Sequence, residues 1–231
     1  MVKEFDRNMF IMLLAIMIGV IIVTYFVADI MKNIEISKKE EQHKIELKTL
    51  KNENIQFTDH FLKSLSLLDS AREYRAYGGY HFDLAFLWYQ NALSEKNSST
   101  MNMYKNRVID NCTLALPYYQ WSHENFKLSK DSFNDTKNYT TYSKYQDLLN
   151  IYMNLSNSGA KITMLRYNAT VYLRRLAENL TFYNDTVIYT ENVTELIDLF
   201  NETMALYTQE LSNFEDYQEE IHEYKFFNEI R

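Results

Sequence analysis

Residues that interrupt a helix are scarce in this sequence. Its 231 residues include one Pro and four Gly, and one of those glycines, Gly19, lies inside a long apolar run. Pro removes a backbone donor and Gly lowers helix propensity, so a chain with so few of them has little to stop its helices. We therefore expect an all-α protein in which the remaining Gly and Pro mark the joints between helices.

The apolar run covers residues 9–28, MFIMLLAIMIGVIIVTYFVA, and contains no charged residue. At a rise of 1.5 Å per residue, about 20 residues cover the roughly 30 Å hydrocarbon core of a bilayer. A cleaved signal peptide is the alternative, but its apolar region is usually shorter and ends at a small-x-small site. We predict a retained single-pass transmembrane anchor over residues 9–31, after a short cytoplasmic N-terminus over residues 1–8.

The acceptor pattern for N-linked glycans, Asn-x-Ser/Thr, is repeated between residues 97 and 203. It occurs ten times, whereas about three matches are expected by chance for such a composition. A chain merely rich in Asn, Ser and Thr is the alternative, but the excess favours a glycosylated domain outside the cytoplasm. The predicted acceptors are Asn97, Asn111, Asn134, Asn138, Asn154, Asn168, Asn179, Asn184, Asn192 and Asn201.

The positive residues beside the apolar run favour the opposite orientation. Two precede it and four follow it closely: Lys3 and Arg7 before, and Lys32, Lys38, Lys39 and Lys44 after. An excess of Lys and Arg is typical of the cytoplasmic side, but this rule is weakest for long translocated domains. We give the acceptors more weight and expect the C-terminal domain outside the cell membrane.

Composition limits what this domain can be. Apolar residues make up 46% of the chain and aromatic residues 15%, which is enough to form a core and argues against disorder. Cys112 is the single cysteine, so an intrachain disulfide and a multi-cysteine metal site are both excluded. The net charge of -7 disfavours nucleic acid as a partner.

The spacing of apolar residues predicts an antiparallel helical bundle over residues 57–231, following a charged helical stalk over residues 32–56. The last helix has the most regular pattern, with apolar residues every three or four positions from Val193 to Tyr224. The predicted helices cover residues 31–77, 82–93, 101–128, 142–155, 162–180 and 193–224.

Four joints follow from turn-forming residues. Gly78 and Gly79 are expected to end the first helix, and Pro117 to kink or break the third. The segment NDTKNYT, residues 134–140, has no apolar period and is predicted to be an exposed loop. Asn157, Ser158 and Gly159 are expected to form a turn.

Acceptors that fall on predicted helices must point away from the core. At about 100° per residue, Asn154, Asn168, Asn179 and Asn201 lie roughly 90° to 165° from the centre of their apolar stripes. Asn111 lies only roughly 70° away, which makes it the least favourable acceptor.

Residues 82–97, FDLAFLWYQNALSEKN, resemble the second helix of a tetratricopeptide repeat, with Ala85, Tyr89 and Ala92 at its small, aromatic and small positions. The preceding helix lacks the Gly and Tyr of that repeat, and no second copy follows at a 34-residue interval. We interpret this segment as ordinary helix packing.

Chemical motifs are few. The sequence contains no phosphate loop, nucleophile elbow or His-Glu-x-x-His pair. Two Glu-x-x-His pairs, Glu40 with His43 and Glu219 with His222, have the spacing of di-iron bundles, but chance explains them adequately. Tyr118, Tyr119 and Trp121 beside Pro117 form a candidate binding surface of low weight.

These observations favour a protein that is not an enzyme and that has no cofactor, metal or catalytic residue. We expect an anchored subunit of a cell-envelope or membrane complex, similar in composition to archaeal cell-surface proteins. Its partners would be the lipid bilayer, envelope or membrane proteins, and a second copy through the stalk and anchor, where Ala15 and Gly19 form a small-xxx-small pair. The alternative is a ligand-binding or sensory bundle that signals through a partner protein.

Overall fold

The computed structural model describes the backbone of residues 2–224 and the side chains of residues 31, 32, 35 and 37–224. Four α-helices and one β-hairpin occupy this range, so the all-α prediction is confirmed in its main part. The elements are α1 (Val2–Ser94), α2 (Ser98–Thr136), a 3-10 turn (Lys137–Tyr139), α3 (Ser143–Glu178), β1 (Leu180–Tyr183), β2 (Thr186–Tyr189) and α4 (Thr194–Glu223).

The chain divides into two compact units, residues 1–53 and residues 54–231. All described side chains of the first unit are exposed, and Lys39 forms a 2.8 Å ion pair with Glu35 one turn away. The predicted anchor lies outside the described side chains except for Met31. Among the described residues, no helix is both long enough and apolar enough for a membrane crossing.

Helix α1 continues through Gly78 and Gly79, so the predicted joint at these residues is wrong. A Cβ atom on Gly78 would lie 2.8 Å from the ring of Tyr119 on α2. Glycine is therefore needed here because two helices approach closely, and the backbone keeps ordinary negative φ angles. The predicted helix over residues 82–93 is the last part of α1, with Ala85, Tyr89 and Ala92 in the core.

Helix α2 begins at an N-cap, where the Asn97 side-chain oxygen accepts a 3.1 Å hydrogen bond from the Thr100 backbone N–H. It continues through Pro117 without a break. The loop predicted over residues 134–140 is also wrong in its first part, because α2 ends at Thr136 and a 3-10 turn follows it directly. Buried Phe133 and Thr136 hold this last turn against the core.

Helix α3 is one element where two were predicted. No turn occurs at Asn157, Ser158 and Gly159, which all lie inside the helix. A Cβ atom on Gly159 would lie 2.4 Å from Cε1 of Phe126 on α2. As at Gly78, the missing side chain accommodates a neighbouring ring.

A short antiparallel hairpin, which the sequence analysis did not predict, joins α3 to α4. Leu180 pairs with Tyr189 and Tyr183 with Thr186. The two turn residues, Asn184 and Asp185, have φ angles of 47° and 59°, as a two-residue type I′ turn requires. The Tyr189 and Tyr89 hydroxyls form a hydrogen bond that holds the hairpin against α1. Burial raises the pKa of Tyr89 strongly, so this hydroxyl keeps its proton.

The prediction of an antiparallel bundle agrees with the contacts between helices. Along α1 and α2, Ser64 lies near Thr136, and His81 lies near Asn111, so the two helices run in opposite directions. The same holds for α3 and α4, where Ser158 donates to Glu210 at 2.8 Å and Arg166 contacts Met204.

Small hydroxyl side chains line the contact between α1, α2 and α3. Ser122 donates a 2.7 Å hydrogen bond to the Ala71 carbonyl, and Ser129 donates a 3.2 Å bond to the Ser64 carbonyl. These serines are fully buried, so each hydroxyl needs a partner inside the protein. Such short side chains let the helices pack closely.

Two clusters of apolar residues complete the core. One surrounds Tyr119 and extends to the hairpin through Leu176 and Leu180. The other lies toward the start of α3 and contains Phe126, Phe133 and Phe214. Each fully buried aromatic or aliphatic side chain contributes about 1.5–3 kcal/mol to folding, so these clusters dominate the stability of the bundle.

Candidate functional site

The structure describes all ten predicted acceptors, and most of them lie on the surface. Three are half-buried: Asn111, Asn168 and Asn179. The expected outward position therefore holds for Asn154 and Asn201 but only partly for Asn168 and Asn179. The exposed acceptors are Asn97, Asn134, Asn138, Asn154, Asn184, Asn192 and Asn201.

In two of the half-buried acceptors, the side-chain nitrogen that a glycan would modify already donates a hydrogen bond. The Asn111 amide donates to the Arg107 carbonyl at 2.8 Å, and its oxygen lies 3.2 Å from Nδ1 of His81. The Asn179 amide donates to the Arg175 carbonyl at 3.0 Å. At Asn97 and Asn192 the side-chain oxygen accepts a hydrogen bond from a following backbone N–H. The side-chain nitrogen of these two acceptors therefore stays available for a glycan.

The hydroxyl residue of several acceptors has a structural role. Residues i and i+2 of a helix point about 200° apart, so an outward Asn places its Ser or Thr toward the core. Thr136, Ser156 and Thr170, which complete the acceptors at Asn134, Asn154 and Asn168, are fully buried. Part of the acceptor pattern thus coincides with the hydroxyl side chains that line the helix contacts.

An aromatic face covers part of the outer surface of α1 and α2. It is formed by Tyr74, Tyr77, His81, Tyr118 and Trp121. The Tyr118 ring lies 5.5 Å from Tyr77, 5.9 Å from His81 and 5.6 Å from Trp121, and Tyr74 lies 5.6 Å from Trp121. These distances are typical of interacting rings. Tyr77 is 49% exposed and Trp121 is 47% exposed, so the face presents ring surface to solvent.

Exposed leucines extend the aromatic face along both helices. On α2, Leu114 and Leu128 lie seven residues on either side of Trp121, which is about two helical turns. On α1, an exposed tyrosine and an exposed leucine, Tyr80 and Leu87, are also seven residues apart. Tyr118 and Trp121 were predicted from the sequence and the α1 residues were not, although the seven-residue spacing of Tyr74 and His81 could have revealed them.

Tyr119 does not belong to the aromatic face, although the sequence analysis grouped it with Tyr118 and Trp121. It is 1% exposed and its ring packs on Gly78. Burial raises the pKa of Tyr119 above its ordinary value, and its hydroxyl has no hydrogen-bond partner among the described residues. It is therefore a core residue with an unused polar group.

Two half-buried arginines, Arg75 and Arg166, lie close to Tyr119 in the bundle. The Arg75 guanidinium packs 4.6 Å from the Phe214 ring, and burial lowers the pKa of Arg75. The Arg166 guanidinium lies between the rings of Phe82 and Tyr207, at 4.2 Å and 4.3 Å. Contact with ring faces replaces part of the lost hydration of a cation. No sequence spacing distinguishes these arginines from surface ones, so the sequence alone does not predict their position.

Cys112 is unsuited to nucleophilic chemistry. It is fully buried in the core of α2 and is a free thiol. Burial raises the pKa of Cys112 to about 12, so the reactive thiolate is scarce at neutral pH.

The two Glu-x-x-His pairs have no metal-site geometry in the described residues. Glu40, His43, Glu219 and His222 are all exposed. The His43 ring lies 3.9 Å from Glu46, on the side away from Glu40 in sequence. Within the part of the chain that the structure describes, no three His, Cys, Asp or Glu side chains are placed to hold a metal ion.

Comparison of the chain with protein-family models, with curated proteins and with solved structures finds no match.

Proposed function

We propose that this chain is a membrane-anchored, N-glycosylated helical protein that serves as a structural or interaction subunit of a cell-envelope or membrane complex. Its C-terminal bundle would lie outside the cytoplasm, and residues 9–31 would form the anchor. The aromatic face is the observation that carries this proposal. Large exposed rings flanked by leucines are typical of surfaces that bind another protein.

The distribution of acceptors supports the same role for the aromatic face. No acceptor lies on α1, and the nearest one on α2, Asn111, has its amide engaged by Arg107 and His81. A glycan on an exposed side chain shields the surface around it, so a binding surface must be free of acceptors. Two exposed acceptors, Asn97 and Asn134, lie at the two ends of α2 and the others lie beyond it, so none falls among the residues of the aromatic face.

Peptide mapping of the protein purified from its native membrane tests export. We expect glycans on exposed acceptors such as Asn138 and Asn154, and an unmodified Asn111 and Asn179. A wholly unmodified chain would overturn the extracytoplasmic placement and favour the orientation that the lysines after the apolar run indicate. A glycan on Asn111 would contradict the role of the aromatic face.

Site-specific photo-cross-linking tests the binding surface. A benzophenone amino acid replaces Trp121 in one variant and Leu206 on α4 in the control, because these two side chains are 47% and 46% exposed. We expect a discrete adduct, with a second copy or another subunit, from position 121 alone. Equal cross-linking from both positions, or none from position 121, would rule out this face as the interface.

A ligand-binding or sensory bundle that signals through a partner protein is the second candidate. A concave groove between α2 and α3, lined by Lys127, Lys130 and Lys161, favours it.

A further inference from the structure

The groove between α2 and α3, which we call the lysine groove, has a volume of about 330 Å³. This lies at the lower end of the range for small-molecule sites, roughly 300–1,000 Å³. Its cationic groups come from both helices. The lining residues are His123, Lys127, Lys130, Asp131, Ser156, Asn157, Ala160, Lys161 and Met164.

Much of the positive charge in the lysine groove is not neutralised. Lys127 is exposed and has no ion pair among the described residues, and Lys130 donates a 3.2 Å hydrogen bond to the uncharged Asn157 side chain. Lys161 pairs with Glu210 at 3.5 Å, and Asp131 is the single acid in the lining. The bundle as a whole is acidic, with 14 Lys and Arg against 22 Asp and Glu in residues 54–224. A concentration of lysines in an acidic domain indicates an anionic ligand.

A second concave region of about 230 Å³ adjoins the lysine groove and shares His123 and Met164 with it. Gln120, Glu124, Tyr167 and the buried Tyr119 complete its lining, and Glu124 is the one acid among them. The Gln120 side-chain amide donates a 3.5 Å hydrogen bond to the Tyr167 hydroxyl. The Tyr167 hydroxyl accepts this bond, so its own hydrogen is left to donate to a ligand at this end of the groove.

His123 joins the two regions and has one nitrogen left for a ligand. Its Nδ1 lies 3.0 Å from the Ala160 carbonyl oxygen. Because a carbonyl oxygen only accepts, Nδ1 must carry the proton of this hydrogen bond. Nε2 therefore remains available to a molecule in the groove.

We propose that the lysine groove binds a phosphate ester of a small polar molecule. Lysine binds tetrahedral phosphate as a point charge, whereas planar carboxylate is usually bound by the fork of arginine, and the groove has no arginine. The phosphate would lie at Lys127 and Lys130. The rest of the molecule would occupy the region of His123, Met164 and Tyr167. This site is separate from the aromatic face and does not depend on its role.

Isothermal titration of the full-length chain tests the site with three probes: glucose 6-phosphate, inorganic phosphate and glucose. We expect saturable binding of the ester, weaker binding of inorganic phosphate and no binding of glucose. Affinity for the ester should fall as salt is raised, because the lysines are exposed. Equal affinity for the ester and inorganic phosphate would overturn the ester assignment, and no binding of either would overturn the site.

Matched lysine variants locate the binding. The double variant Lys127→Gln with Lys130→Gln should weaken ester binding by about tenfold or more, because it removes two charge-assisted contacts. The control, Lys63→Gln with Lys96→Gln, removes the same charge from exposed positions outside the groove and should leave binding unchanged. An equal loss in both double variants would overturn the proposal, since binding would then depend on net charge alone.

Tyr167→Phe tests the far end of the groove while keeping the ring. We expect it to weaken binding of glucose 6-phosphate and leave inorganic phosphate unaffected, because the hydroxyl is assigned to the body of the ligand. An unchanged affinity for the ester would remove Tyr167 from the site. Failure of these titrations leaves the cross-linking result at position 121 untouched, so the two proposals fail separately.

Discussion

Gly159 shows at the residue scale how a missing side chain determines packing. The Phe126 ring occupies the space that a Cβ atom would need, with a closest approach of 2.4 Å. We predict that Gly159→Ala lowers the free energy of unfolding by about 1–3 kcal/mol, since the ring or the helices must move. Urea denaturation of the full-length chain would measure this change.

Gly79→Ala is the matched control for that prediction. Gly79 is also helical, but nothing lies within 4 Å of the place where its Cβ atom would be. Here the change should raise stability by up to about 1 kcal/mol, because alanine has the higher helix propensity. Loss of stability in both variants, or in neither, would show that the contact with Phe126 is not the cause.

Cys112 leads to a prediction about alkaline pH. Its pKa of about 12 in the folded protein exceeds the ordinary value of 9.0, so the folded state keeps a proton that the unfolded state releases. This contribution to stability is complete below pH 9 and is lost as the pH rises toward 12. We expect the urea concentration at the unfolding midpoint to be lower at about pH 10.5 than at about pH 8.5.

Two variants separate this effect from general alkaline damage. Cys112→Ala should reduce the steepness of the fall with pH, whatever its effect on stability at neutral pH. Tyr80→Phe removes an exposed hydroxyl on the same bundle and should leave the steepness unchanged. If Cys112→Ala follows the same pH profile as the unaltered chain, the buried thiol is not responsible.

At the scale of elements, variants of Asn154 and Ser156 can test whether the acceptor pattern on α3 also serves helix packing. Both belong to one acceptor on α3, but Asn154 is exposed and Ser156 is buried 3.2 Å from the Ser129 hydroxyl. Asn154→Gln should leave stability unchanged, whereas Ser156→Ala should lower it by about 1 kcal/mol through the lost hydrogen bond. Thermal unfolding of both unglycosylated variants would test this, and an equal effect would count against the packing role.

The elements also explain why the predicted joints were wrong. Gly78, Gly159 and Pro117 all interrupt helices in isolation, yet each lies inside a continuous helix here. Tertiary contacts outweigh their low propensity, because a Tyr119 or Phe126 ring packs where the glycine side chain is missing. The hairpin was missed for a related reason, since its two strands have only four residues each and contacts distant in sequence hold them to the bundle, including the Lys105 bond to the Leu180 carbonyl.

For the whole molecule, the division into two units predicts that the bundle folds without residues 1–53. Every buried residue among the described side chains lies between Ser64 and Phe214. A chain of residues 54–231 should therefore unfold cooperatively with the same thermal midpoint as the full-length chain. A clearly lower midpoint would show that the first unit contributes to the stability of the bundle.

Local properties of the sequence determined the helical class and the regular pattern of α4, because helix propensity and apolar spacing act over a few residues. They also located the acceptors. Only the tertiary structure decided that Tyr119 is core while Tyr118 and Trp121 form a surface with Tyr77. The same is true of the lysine groove, whose residues come from two helices. Which side chains meet across helices depends on their relative packing, which no local pattern contains.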